Sequence, residues 1–207
     1  MLREGMQTPW GQADQVYNYC DGIGRVCTPS HGGIKLSRER NAKIPMALRR
    51  EGGWYEEDCD WAIPYYFFAD ELKAVGQDAG GDAIATLKNW MPHEFAAATD
   101  IEVLPSESSA LREELFYKAN SDKFIVTAAW GDWQGGVPTG MVGVLAIIGG
   151  RSATGLAKDH PPEHWFLVPK DEYNDVYNND PSSRRVGFVI DPARHIEVED
   201  FSKLPHK

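Results

Sequence analysis

Phe124-Ile125-Val126-Thr127-Ala128-Ala129-Trp130, a ten-residue connection from Gly131 to Gly140, and Met141-Val142-Gly143-Val144-Leu145-Ala146-Ile147-Ile148 decide the fold class. Both runs are nearly continuously apolar, as strands buried on two faces are. Their connection holds Gly135, Gly136 and Pro138 and is too short for the crossover that parallel pairing needs, roughly a dozen residues or more. Antiparallel neighbours at the centre of a sheet are therefore expected. Gly143 is expected to make room for a large side chain, Trp130 or Trp133.

Working outward, His164–Val168, Val186–Ile190 and Ile196–Val198 read as further strands, with a short helix near Asp171–Tyr177. Upstream, Gln15–Tyr19, Gly24–Thr28 and Gly33–Leu36 are short strand candidates, broken at Asp21-Gly22 and between Pro29 and Gly32. Ser37 opens a helix toward Arg50 that Pro45 interrupts. Further helices are expected from Asp60, a good N-cap, to Gly76, from Asp82 to Trp90, and from Ser106 to Ala119. Strands, then helices, then strands give an α+β class. The expectation is a mainly antiparallel sheet covered on one side by helices, with a small N-terminal β-rich part. One domain over 1–207 is expected, with parts at about 1–60, 61–122 and 123–207.

The 207 residues are 42% apolar and include seven tryptophans, which fits a packed core and not a disordered chain. No run approaches the ~18 uncharged apolar residues of a membrane span. Met1 to Trp10 lacks an apolar block of signal-peptide length, so export is not expected. Three cysteines, Cys20, Cys27 and Cys59, suit reduced thiols in a cytosol. The net charge of -10 disfavours nucleic acid and anionic membrane as direct partners. Residues 54–122 hold fifteen Asp/Glu against four Lys/Arg, so this segment carries the negative charge. It is either a solvated helical face or an acidic surface for a basic partner.

Several motifs fail on their chemistry. Gly150-Arg151-Ser152-Ala153-Thr154-Gly155 follows a strand, yet Leu156 stands where a phosphate-binding loop needs lysine. His160-Pro161-Pro162-Glu163-His164 matches H-x-x-E-H, but two prolines and a following strand remove the helix that would align its histidines. Cys20, Cys27, His31 and Cys59 miss the short spacing of a zinc knuckle. No resident metal or cofactor is expected.

Two blocks remain. Thr28-Pro29-Ser30-His31-Gly32-Gly33 places a histidine on a glycine-rich turn, where it is accessible as a general base or simply bonds the backbone. Gly53-Trp54-Tyr55-Glu56-Glu57-Asp58-Cys59-Asp60-Trp61 holds four carboxylates within five residues. Buried together they would repel one another. They can share a proton, hold a divalent ion, meet arginines, or cap the next helix.

These blocks, extended to Thr28–Ser37 and Gly53–Ala62, resemble the core of a bacterial domain family carried on plasmids and phages, to which no reaction is attached. Ala129-Trp130-Gly131-Asp132-Trp133, Gly140-Met141-Val142 and Gly187–Pro192 are similar to its C-terminal half. The resemblance implies a mobile-element accessory protein. With the acidic segment, it leads to a non-catalytic protein that binds a host protein. A counter-defence inhibitor of anti-CRISPR or anti-restriction type would occupy a basic nucleic-acid channel with Glu107, Glu113 and Glu114. The alternative is a small enzyme. There His31 is the acid or base, and Glu56, Glu57 and Asp58 orient substrate or hold a metal. A third reading gives both blocks to the fold, with Trp10, Trp54 and Trp61 packed together and the acids bridged to Arg38, Arg40, Arg49 or Arg50.

Overall fold

The computed structural model describes residues 2–150, 162–178 and 186–206. Arg151–Gly155 and His160-Pro161 lie outside them. The described residues form seven α-helices and three antiparallel sheets, an α+β fold. The chain divides into two compact units, Met1–Ala110 and Leu111–Lys207.

Unit one begins with a two-residue ribbon, β1 (Gln7–Thr8) and β2 (Gly11–Gln12). A meander follows: β3 (Gln15–Cys20), β4 (Ile23–Cys27), β5 (Gly32–Leu36) and, after a helix, β6 (Trp54–Glu56), in the order β3-β4-β5-β6. The Asp21-Gly22 turn puts Gly22 at φ 75°, where a Cβ is strained. Ser37 caps α1 (Arg38–Lys43) by accepting from the Arg40 N–H at 3.2 Å. Pro45 ends that helix instead of kinking it, because the residue before proline is pushed out of the helical region and Ile44 is extended.

The next helices are α2 (Ala62–Phe67), α3 (Ala69–Ala74), α4 (Gly80–Trp90) and α5 (Pro92–Thr99). The single helix expected between Asp60 and Gly76 is broken at Phe68, which leaves helical geometry. Asp60 does not cap it. α5 is not among the expected helices; Pro92 sits in its first turn, where its missing N–H costs nothing. The sequence places these helices over the C-terminal strands. Their buried residues Ile63, Phe68, Leu72, Leu87 and Phe95 instead share one cluster with Ile23, Ile34, Leu36 and Tyr55 of the N-terminal sheet. Alternation gives that sheet a full apolar face, and such a face needs a cover of its own.

α6 (Ser109–Ala119) starts at the junction of the units; the Asn89 side-chain oxygen accepts from the Ser109 N–H at 2.7 Å. Unit two then carries β7 (Phe124–Trp130), β8 (Met141–Ile148), β9 (His164–Pro169), α7 (Lys170–Asn178) and β10 (Ile196–Val198). Its sheet order is β10-β9-β8-β7, all antiparallel. Residues 188–190 lie along the outer side of β7, through Val126 N–H to the Phe188 carbonyl and Ile190 N–H to the Phe124 carbonyl, each 2.9 Å.

β8 is covered on both faces, which explains its unbroken apolar run. Val142, Val144 and Ala146 pack with Phe166, Phe188, Ile190 and α7. Leu145 packs on the other face with Trp165, Val137 and Phe201. Gly143 pairs with Trp130 across the ladder, but the group that fills its missing side chain is Phe201. A Cβ there would lie 2.3 Å from Phe201 Cζ and 2.6 Å from Val137. Gly143→Ala should cost on the order of 1–3 kcal/mol by overpacking, read as a lower urea midpoint. An unchanged midpoint would mean that Phe201 is not seated against β8.

Candidate functional site

The Thr28–His31 turn joins β4 to β5. Its geometry is fixed by Thr28, whose N–H and hydroxyl both donate to the His31 carbonyl at 2.7 and 2.8 Å. The same hydroxyl accepts from the His31 N–H at 3.1 Å. These bonds close a tight turn. It occupies the main chain only. The imidazole itself is 56% exposed.

β6 brings the carboxylate block to this turn. Gly33 stands opposite Glu56, Ile34 opposite Tyr55 and Lys35 opposite Trp54, and the Glu57 N–H donates to the Gly32 carbonyl at 3.1 Å. The two glycines make the approach possible. A Cβ on Gly33 would lie 2.3 Å from the Tyr55 carbonyl and 2.4 Å from the Trp10 ring. One on Gly32 would lie 2.7 Å from Glu57 Oε2. Trp10 also meets Trp54 edge to face at 5.7 Å, with the Lys35 ammonium over the Trp54 ring. Trp61 packs with Tyr65 and not with the other two.

The four acids separate into distinct roles. Glu56 Oε2 accepts from the Asp58 N–H at 2.6 Å, while its Oε1 is buried, lacks a hydrogen-bond partner and lies 3.9 Å from His31 Nδ1. Glu57 Oε2 is 3.9 Å from Arg25. Asp58 is exposed and stands outside the group. Asp60 is held by both arms of Arg50 at 2.8 and 2.9 Å, so its part is structural. Arg50 is placed in turn by Tyr55 and Asn41: the tyrosine hydroxyl donates to Asn41, and Asn41 donates to the Arg50 carbonyl. Ligand atoms of His31, Glu56 and Glu57 all lie within 4.8 Å of one another.

Glu57 also reaches a cleft of about 340 Å³, lined with Arg25, Trp61, Tyr65 and Gln77. Burial pushes the Tyr65 hydroxyl up to about 12, so the ring enters as a neutral donor. Burial also raises the Cys59 thiol, reinforced by Asp58, Asp60 and Glu56, and leaves it a poor nucleophile.

The acids expected to bind a partner lie elsewhere. Glu107 pairs with Lys88 at 2.5 Å and accepts from the Leu104 N–H at 3.1 Å. Glu113 and Glu114 sit on α6 beyond the unit-one boundary, the first half-buried and the second exposed. Acidic residues that sequence reading did not single out are Asp82, Asp100 and Glu102, which are exposed and have no ion-pair partner among the described residues. Their signal in the sequence was only the charge count.

A family model described as Domain of unknown function (DUF7007) matches residues 3–121, and the chain belongs to that family. The match spans unit one from residue 3 and all of α6. No curated protein and no solved structure matches the chain.

The Lys88 hydrogen bond, then the Leu104 N–H, hold Glu107 below the usual carboxylate range. A depressed folded value means stability that is present above the ordinary value of 4.5 and lost as pH falls through the folded one. Glu107→Gln should therefore melt below wild type at neutral pH, with the gap closing as pH drops under 4.5. Melting curves that stay parallel through that range would remove the pair from the stability of unit one.

Proposed function

We propose that this member of the DUF7007 family is a non-catalytic accessory protein of a phage or plasmid that acts by binding a host protein in the bacterial cytoplasm. The observation that carries this reading is the surface of unit one around α4 and α5. Asp82, Asp100 and Glu102 are exposed there without counterions among the described residues, and Ile84, Trp90, Ile101 and Leu104 are each 40–50% exposed. Two of the four cations in residues 54–122 are already committed, Lys73 to Asp78 and Lys88 to Glu107. Exposed carboxylates and exposed apolar side chains within the same stretch, residues 82–104, suit a partner that is basic and partly apolar. A channel that normally holds nucleic-acid phosphates has that character, which supports a counter-defence inhibitor. The same charge repels nucleic acid and anionic membrane. Glu107 in unit one, and Glu113 and Glu114 in unit two, are further candidate contacts under this reading, each taken within its own unit.

A second reading, a small enzyme, is favoured by one observation: the 3.9 Å approach of His31 to Glu56 beside a cleft that Glu57 enters. In it His31 moves the proton, and Glu56, Glu57 and Asp58 orient the substrate.

Native capture from a bacterial host lysate separates the two. The binding reading predicts a basic, nucleic-acid-binding protein that is released by added salt and by the triple change Asp82→Asn, Asp100→Asn, Glu102→Gln. Recovery of acidic proteins only, or a partner indifferent both to that change and to neutralising Glu107, Glu113 and Glu114, would sink it. Loss of biological effect in a His31→Ala variant with an unchanged melting temperature would favour the enzyme.

A further inference from the structure

We propose that His31, Glu56 and Glu57 form a binding site for one divalent transition-metal cation of the manganese or zinc class. The inference goes beyond the host-binding reading and stands or falls separately from it.

The first argument is an unsatisfied atom. Glu56 Oε1 is buried and has no hydrogen-bond partner, whereas its sister oxygen is used by the Asp58 N–H. A carboxylate oxygen removed from water without a donor is costly. His31 Nδ1 lies 3.9 Å from it, beyond hydrogen-bond range. That spacing does fit two atoms bound to one ion. At metal–ligand distances of about 2.0–2.2 Å, ligand atoms sit roughly 3–4 Å apart. The largest separation in the group is within 4.8 Å, so closure needs only rotation of His31 and Glu57, both exposed residues.

The second argument is the cradle. Glu57 folds back over the turn because residue 32 has no side chain; a Cβ there would meet Glu57 Oε2 at 2.7 Å and the Val26 carbonyl at 3.0 Å. The main chain at both ends is fixed independently of the ligands, by Thr28 at the histidine and by the Glu57 N–H at Gly32.

Charge and donor type narrow the ligand. Two carboxylates and a neutral imidazole bring two negative charges against a divalent ion. The nitrogen donor disfavours calcium and magnesium, which take oxygen shells. Three protein ligands leave positions open for water or a bound group. Arg25, 3.9 Å from Glu57, is a cation that opposes binding.

Manganese is the probe of choice, because it competes poorly for the three free cysteines. Untagged full-length protein is titrated with Mn²⁺ and free ion is read by electron paramagnetic resonance, with Zn²⁺ then added as competitor. One Mn²⁺ per chain is expected, displaced by Zn²⁺. Glu56→Gln keeps an acceptor for the Asp58 N–H and should weaken binding at least tenfold, as should His31→Gln. Gly32→Ala should weaken it while leaving all three ligands in place. Arg25→Gln should tighten it, an effect that damage to the fold would not produce, and Asp100→Asn should change nothing. Absence of bound Mn²⁺ at millimolar concentration overturns the proposal. So does binding that is equal in wild type, Glu56→Gln and His31→Gln, which would mark an adventitious ion.

Discussion

The close approach of β5 to β6 at Gly33 is the contact on which unit one depends. Backbone meets backbone where a single methyl would collide with the Tyr55 carbonyl and the Trp10 ring. Once that ladder forms, Tyr55 enters the core with no exposed surface, and its hydroxyl reaches Asn41 at 2.6 Å. Asn41 ties down Arg50, and Arg50 clamps Asp60 at the entry to the helical layer. The excursion from Ser37 to Gly53 is thus closed at its neck by side chains from both ends. Removing one buried member of such a network leaves the others unsatisfied, so its parts are not separable by single deletions.

This contact also converts two separate words of sequence into one place. Residue types were legible: a histidine on a glycine turn and a run of acids each suggested chemistry or structure. Their meeting was not, because β6 is three residues long and shows no periodicity over that length. Nor could the four acids be sorted. Asp60 belongs to Arg50, Asp58 to solvent, and Glu56 and Glu57 to the histidine, a division set by the direction of each side chain around the end of a strand.

In unit two the apolar run of β8 told its own story, because burial on two faces leaves no polar alternation to misread. What covers each face was hidden. Phe201 comes from 58 positions beyond Gly143 in the chain and carries no local signal of its destination. The helices after Asp60 were legible as helices, apart from the break at Phe68 and the restart at Pro92. Their choice of sheet was not legible, since apolar periodicity names the face to be buried and not its partner. The charge count likewise marked the acidic segment without separating Glu107, which is spent on Lys88 and a helical cap, from Asp100 and Glu102, which are not.

The histidine turn and the carboxylate block are neighbours through β5 and β6. Gly33 and Glu56 form a non-hydrogen-bonded pair, since the Glu57 N–H donates to the Gly32 carbonyl on the flanking position. Such pairs bring Cα atoms to about 4.5 Å and their hydrogens into contact. Nuclear Overhauser spectroscopy on the labelled chain should show a strong Hα–Hα cross-peak between Gly33 and Glu56, together with cross-strand peaks linking Ile34 to Arg25 on the other side of β5. Peaks between β4 and β5 with none between Gly33 and Glu56 would show a folded sheet without its fourth strand, and the account of the site would be contradicted.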